Sequence, residues 1–174
     1  MRLLEATDER VEVSSSQLED TWEAGRALAR ALGDRWAVIG LEGELGAGKT
    51  AFTRGFVGAL APDAELLVAS PTYAICHTYR ARPALHHMDL YRLSGEDDLE
   101  STGFRDLVER SVLLIEWPSC VPSVAELIDY RVSLAHGNSE DERQITMTVT
   151  GRGDRGVIRE VADRVRARNA GARK

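Results

Sequence analysis

Lysine is nearly missing from this chain: its 22 basic residues are 20 arginines and two lysines, Lys49 and Lys174. Cysteine is scarce as well. Cys76 and Cys120 are too few for a disulfide framework and are expected as free thiols. The longest apolar stretches, such as Val112 to Ile115, are only a few residues. A membrane-spanning helix needs roughly 20, so none is expected. Met1-Arg2-Leu3-Leu4-Glu5 carries charge where a secretory signal has an apolar stretch, which makes a cytoplasmic location the expectation. Neither repeats nor a low-complexity linker interrupt the 174 residues, a length that suits one domain over 1–174.

What charge there is lies unevenly. The net charge is −6, yet residues 151–174 carry +5 and residues 1–150 carry −11. The acidic body repels nucleic acid. The basic segment from about 152 to 174 is expected as a solvated surface helix with a frayed end; contact with an acidic partner or RNA is the alternative.

Periodicity places the elements. Ser16 and Glu19 have capping-box spacing before a helix over about 17–32. Trp36 to Leu41 is a buried strand, and Thr50 to Leu60 carries Phe52, Phe56, Val57 and Leu60 at helical spacing. A short strand is expected at Leu66 to Val68. Two more are expected at Tyr73 to Tyr79 and Ala84 to Tyr91, with a bend at Pro83. Ser94 can cap a short acidic helix that Gly103 ends. Ser111 to Trp117 is a second buried strand, followed by a short helix near Val124 to Ile128. Tyr130 to Ala135 and Arg143 to Thr150 form a hairpin, and a last helix runs from about Arg155 to Arg168. The pattern predicts a three-layer α/β fold with a mixed sheet.

Between the first buried strand and its helix lies Gly43-Glu44-Leu45-Gly46-Ala47-Gly48-Lys49-Thr50, which matches G-x-x-x-x-G-K-[ST] at every fixed position. Glycines let backbone amides approach phosphate oxygens, and the next helix, through Ala51, turns its N-terminus to the anion. Lys49 is suited to the β- and γ-phosphates and the Thr50 hydroxyl to Mg2+. A chain that uses arginine almost everywhere thus has lysine where a compact ammonium is required. This is a phosphate loop for ATP. Hydrolysis also needs an acid near the metal, and two stand at strand ends: Glu116, closing Leu113-Leu114-Ile115-Glu116, and Asp89, in His87-Met88-Asp89-Leu90-Tyr91-Arg92.

Together the phosphate loop, Ser70-Pro71-Thr72-Tyr73, His87 to Arg92 and Ile115-Glu116-Trp117-Pro118 resemble, in order and spacing, the TsaE family, bacterial ATPases of tRNA threonylcarbamoyladenosine biosynthesis. The resemblance runs from about Thr21 to Gly151 and implies a P-loop NTPase-like fold. It implies Mg2+ at Thr50 and Glu116, with Asp89 a candidate for organising the attacking water. It puts Thr72 near the γ-phosphate and Trp117 beside the nucleotide, and Thr21 and Gly25 near it. It also implies TsaB and TsaD proteins as partners, tRNA being met only through that assembly, and weak hydrolysis by the chain alone. Met88 and Ser119 depart from the family's usual Phe and acid. Arg54 and Arg92 are candidates for an arginine finger.

Rival readings are weaker. Cys76-His77 and His86-His87 lie in neighbouring strands, where adjacent residues face opposite ways, so at most two ligands meet; zinc is not expected. The alternative function is a P-loop small-molecule kinase with the Arg80-to-Arg92 region as its lid, which the strand-like pattern there opposes. A nucleotide-dependent binding module with negligible turnover is a third reading.

Overall fold

A computed structural model describes residues 1–171. The strands are β1 (Arg2–Ala6), β2 (Arg10–Ser15), β3 (Ala37–Glu42), β4 (Cys76–Tyr79), β5 (Ala84–Asp89), β6 (Ser111–Glu116), β7 (Tyr130–His136) and β8 (Arg143–Val149). The helices are α1 (Leu18–Leu32), α2 (Lys49–Leu60), α3 (Glu96–Glu100), α4 (Phe104–Leu107), α5 (Pro122–Leu127) and α6 (Arg155–Gly171). All eight strands join one sheet in the order β1-β2-β8-β7-β3-β6-β5-β4. Its centre is parallel, β3 pairing with β6 and β7, and β6 with β5. Its margins are antiparallel.

Alternation along the strands separates two cores. Ile39, Leu41, Leu85, Leu114 and Val132 face α1, α2 and α6. Val38, Met88, Leu113 and Ile115 face the other way, onto Leu99, Phe104 and Val124 of α3, α4 and α5. Three layers result, as the sequence predicts. β3 and β6 are apolar on both faces because helices cover both. On α6, Val157, Ile158, Val161 and Val165 are buried at helical spacing, each contributing about 1.5–3 kcal/mol.

α1 and α2 cross at very short range. A Cβ on Gly25 would strike the Phe52 carbonyl, and one on Gly55 the Trp22 carbonyl. Gly25 therefore serves the helix crossing, with the Phe52 and Phe56 backbone occupying the space beside it.

Other local expectations change. The capping box of Ser16 and Glu19 does not form; Asp20 Oδ2 instead accepts from the Ser16 N–H at 3.3 Å. Leu66 to Val68 is not a strand. Pro62 opens a 3-10 turn over Pro62–Leu67, and Leu66 and Leu67 stay exposed. The strand expected from Tyr73 begins only at Cys76, because Ile75 turns to φ 65° and its N–H closes onto Pro71 O at 2.6 Å. Before α3 the capping is reversed: Asp98 Oδ2 accepts from the Ser94 N–H at 2.8 Å. β1 and β2 join the sheet without a strand having been expected from their sequence. Six arginines of the basic C-terminal segment fall among the described residues, and all six are ion-paired: Arg152, Arg155, Arg159, Arg164, Arg166 and Arg168. The segment's final residue, Lys174, lies outside the described residues.

Two substitutions in α2 test the crossing. Gly55→Ala drives a methyl into backbone and is expected to lower stability by about 1–3 kcal/mol despite alanine's better helix propensity. Gly58→Ala meets only the Glu65 side chain, which can move, and is expected to stay within about 1 kcal/mol of the parent. Urea denaturation measures both.

Candidate functional site

β3 delivers the chain into the phosphate loop at the carboxyl edge of the parallel strands. Gly43 takes φ 145° and packs where any Cβ would meet the Leu134 carbonyl. Gly48, at φ 106°, precedes α2 directly. Ala47 is buried, while Glu44, Leu45 and Gly46 are exposed. The helix ladder starts with the Phe52 N–H donating to Gly48 O at 2.9 Å. The amides of Lys49, Thr50 and Ala51 belong to the first turn, where helices leave N–H groups for an anion.

Lys49 is 5% exposed. Its Nζ donates to the carbonyls of Gly43 at 2.7 Å and Glu44 at 3.0 Å, and lies 3.9 Å from the centre of the Trp117 ring. Burial holds this ammonium below the ordinary lysine value, against the upward pull of Glu116, Asp89 and Glu42. Trp117 comes directly after β6 with φ 59°, a rare left-handed turn for a bulky residue, and its ring meets Tyr91 at 5.2 Å.

Register gathers the acids. Glu116 is the partner of Leu41 on one side and of Asp89 on the other. Thr50 Oγ1 donates to Glu116 Oε1 at 3.0 Å, and His87 Nε2 lies 2.9 Å from the same oxygen. Asp89 Oδ2 accepts from Ser70 Oγ at 3.0 Å and Thr72 Oγ1 at 2.6 Å, while Oδ1 accepts from the Tyr91 N–H at 3.0 Å. A cavity of about 350 Å³ brings together Lys49, Thr50, Ala51, Thr72, Asp89, Glu116 and Trp117. Leu45, Gly46, Gly48, Ser70 and Tyr91 complete its wall.

A second cavity, of about 430 Å³, opens on the other side of the loop, between Gly46, Gly48 and Ala51 and the start of α1. Thr21 lies there, bonded to Ser15 Oγ at 2.9 Å, whereas Gly25 does not line it. Leu18 of α1 joins the same wall, with Ser15 from the end of β2, Asp141 from the β7–β8 loop and Arg143 from the start of β8. Nothing local in the sequence marks them. Tyr91 and His87, by contrast, stand inside the His87-to-Arg92 motif. Arg54 donates to Val68 O at 3.1 Å, and Arg92 lies over the Tyr73 ring at 4.2 Å; neither lines the loop cavity. No cluster of metal-binding His, Cys, Asp or Glu occurs among the described residues, and Cys76 and Cys120 are free thiols. A larger cavity of about 720 Å³, between the end of α2 and β4, has Leu60, Ala61, Pro62 and Leu67 in its wall and lies apart from the loop.

The buried Lys49 makes a testable case. Folding disfavours its charged form, and that cost disappears once both folded and unfolded chains are deprotonated. Measured against Lys49→Met by urea denaturation, the parent should gain stability as pH rises between the depressed value and 10.5, the ordinary lysine value. A loss over that window would mean that the neighbouring carboxylates outweigh burial.

The family model "Threonylcarbamoyl adenosine biosynthesis protein TsaE" matches residues 15–145. The Streptomyces coelicolor tRNA threonylcarbamoyladenosine biosynthesis protein TsaE is 38% identical over 150 residues, covering 80% of this chain and 96% of the relative. The Treponema pallidum protein of the same name is 36% identical over 132 residues, covering 72% and 94%. The crystal structure of Bacillus subtilis YdiB superposes with a TM-score of 0.62 at 25% identity, covering 92% of this chain and 97% of that one. The fold is the three-layer P-loop NTPase-like fold with a mixed sheet, and no helix among the described residues is long and apolar enough to cross a membrane. The chain belongs to the TsaE family of tRNA threonylcarbamoyladenosine biosynthesis.

Proposed function

We propose that this chain binds ATP with Mg2+ at the Gly43-to-Thr50 loop and hydrolyses it slowly. In doing so it supports a TsaB–TsaD assembly in the cytoplasm during threonylcarbamoyl modification of a tRNA adenosine. The observation that carries the reading is the 3.0 Å pair of Thr50 Oγ1 and Glu116 Oε1 at the foot of the phosphate loop. Both are hard oxygen donors, the kind Mg2+ takes together with phosphate oxygens, so the residues fit the ion. Thr50 and Glu116 would hold the ion, and Mg2+ bound there would neutralise charge on the transferred phosphoryl group.

The side chains set the remaining roles. The Gly46-to-Ala51 backbone cradles phosphate, with Gly43 forming the turn beneath it. Lys49 exchanges its two carbonyl acceptors for phosphate oxygens and keeps the Trp117 face as a wall. Asp89 orients the attacking water. Ser70 and Thr72 hold its Oδ2 until one of their hydroxyls turns to the γ-phosphate.

Slow turnover alone has a physical basis. Among the described residues lining the cavity, Lys49 is the sole cation. Transition-state charge on the phosphoryl oxygens therefore has one fewer counter-charge than in sites with an arginine finger, which can be worth about 10³–10⁵ in rate. A partner that supplies it accelerates the reaction. For this reason the assembly reading is favoured over a small-molecule kinase.

The test is ATP hydrolysis with Mg2+, with and without TsaB, TsaD and tRNA. Turnover should rise with the partners. Glu116→Ala should abolish it and Thr50→Val should weaken Mg2+-dependent binding. Asp89→Asn should keep nucleotide binding and lose about 100-fold or more in rate. Brisk turnover indifferent to the partners, or phosphorylation of a small acceptor, would point to the kinase.

A further inference from the structure

We infer that His87 is a positioning residue that holds the Glu116 carboxylate in place for the metal, an inference that rests on the Mg-nucleotide reading of the site. His87 stands on β5 two residues before Asp89, so both side chains leave the sheet on the face that meets α2. Its ring is fully buried, and its register partner on β6 is Leu114. Nε2 lies 2.9 Å from Glu116 Oε1. At that distance the ring nitrogen serves as donor to the carboxylate oxygen.

On the other side of the ring, Nδ1 has no partner among the described residues. A buried polar atom with no partner costs free energy, and an apolar side chain of similar size would fill the same space without that cost. Packing alone is therefore a poor reason for a histidine here. What the imidazole supplies is a donor aimed at one oxygen of an acid that is itself only 3% exposed.

The donor completes a clamp. Glu116 Oε1 receives Thr50 Oγ1 from α2 and His87 Nε2 from β5, while Oε2 takes no protein hydrogen bond among the described residues. Thr50 can offer a lone pair to a cation and still donate to Oε1. His87 does not line the loop cavity, and its bond to Glu116 forms without nucleotide. It fixes the carboxylate before the metal arrives, as hydrogen-bonded partners of metal-binding carboxylates do.

Two variants and two readouts test this. His87→Leu removes the donor, and His87→Gln returns one at the Nε2 position. In Mg2+ titrations of ADP binding, His87→Leu should require about 10-fold or more Mg2+ for half-saturation. Its ADP affinity in excess chelator should match the parent's, and His87→Gln should return toward the parent. Long-range 1H–15N spectra of the metal-free parent should show a hydrogen on His87 Nε2. Thermal unfolding of each variant separates misfolding from a lost clamp. Parent-like Mg2+ dependence in a folded His87→Leu, no recovery in a folded His87→Gln, or an Nε2 without a hydrogen would each overturn the inference. A parent that binds no Mg-nucleotide overturns the underlying reading and this one with it, and that outcome is visible before any variant is made.

Discussion

Leu41, Glu116 and Asp89 lie side by side where three parallel strands end. Parallel pairing forces that row: strands running the same way stop at the same edge, so the segments leaving β3, β5 and β6 emerge at one place. The phosphate loop leaves one residue after Leu41, at Glu42. Glu116 closes β6, and Asp89 closes β5 with its carboxylate tied to Ser70 and Thr72. A shift of one residue in any of these registers would send an acid to the opposite face, toward Val124 and Leu99 instead of α2. Such a slip would bury a carboxylate among apolar side chains, so the precision of the site is inherited from the core beneath it.

The second constraint is how closely α1 approaches α2. Gly25 and Gly55 allow backbone to meet backbone, and this brings the start of α1, with Thr21, to the far side of the phosphate loop. The loop is thus walled by two cavities from different parts of the chain. One contains the acids and the other the residues of β2, α1 and β8. Trp117, in its left-handed turn, closes the first against Lys49 and Tyr91.

The elements whose chemistry is local were legible in the sequence. The loop, the two buried strands and the strand-end acids Glu116 and Asp89 carry their signal in a few consecutive residues. α6 carried its stripe of valines and isoleucine. What escaped depends on distant neighbours. β2 is short and gains its place by pairing with β8, about 135 residues later in the chain. β1 and β2 complete the antiparallel margin without a turn motif that announces them. Leu66 to Val68 looked like a strand from its composition, but no neighbouring edge receives it, and Pro62 favours a 3-10 turn. Gly25 sat in a motif that suggested the nucleotide, whereas its missing side chain serves the helix crossing. His87 lay within view as part of a motif, but its bond to Glu116 needed the alignment of β5 with β6.

The paired arginines of α6 alter how the chain presents itself to a polyanion. Arg155 and Arg159 are bound to Glu9 and Asp8 of the β1–β2 turn, and Arg168 to Asp20 and Glu23 of α1. Binding to nucleic acid gains much of its free energy by releasing condensed counterions, one for each phosphate a free cation replaces. An arginine already neutralised by a carboxylate must first surrender that partner, leaving an acid facing the phosphates. The exchange releases few ions, so any contact through this helix would show a shallower salt dependence than its arginine count suggests. Beyond a Debye length of about 8–10 Å, the helix presents little net field.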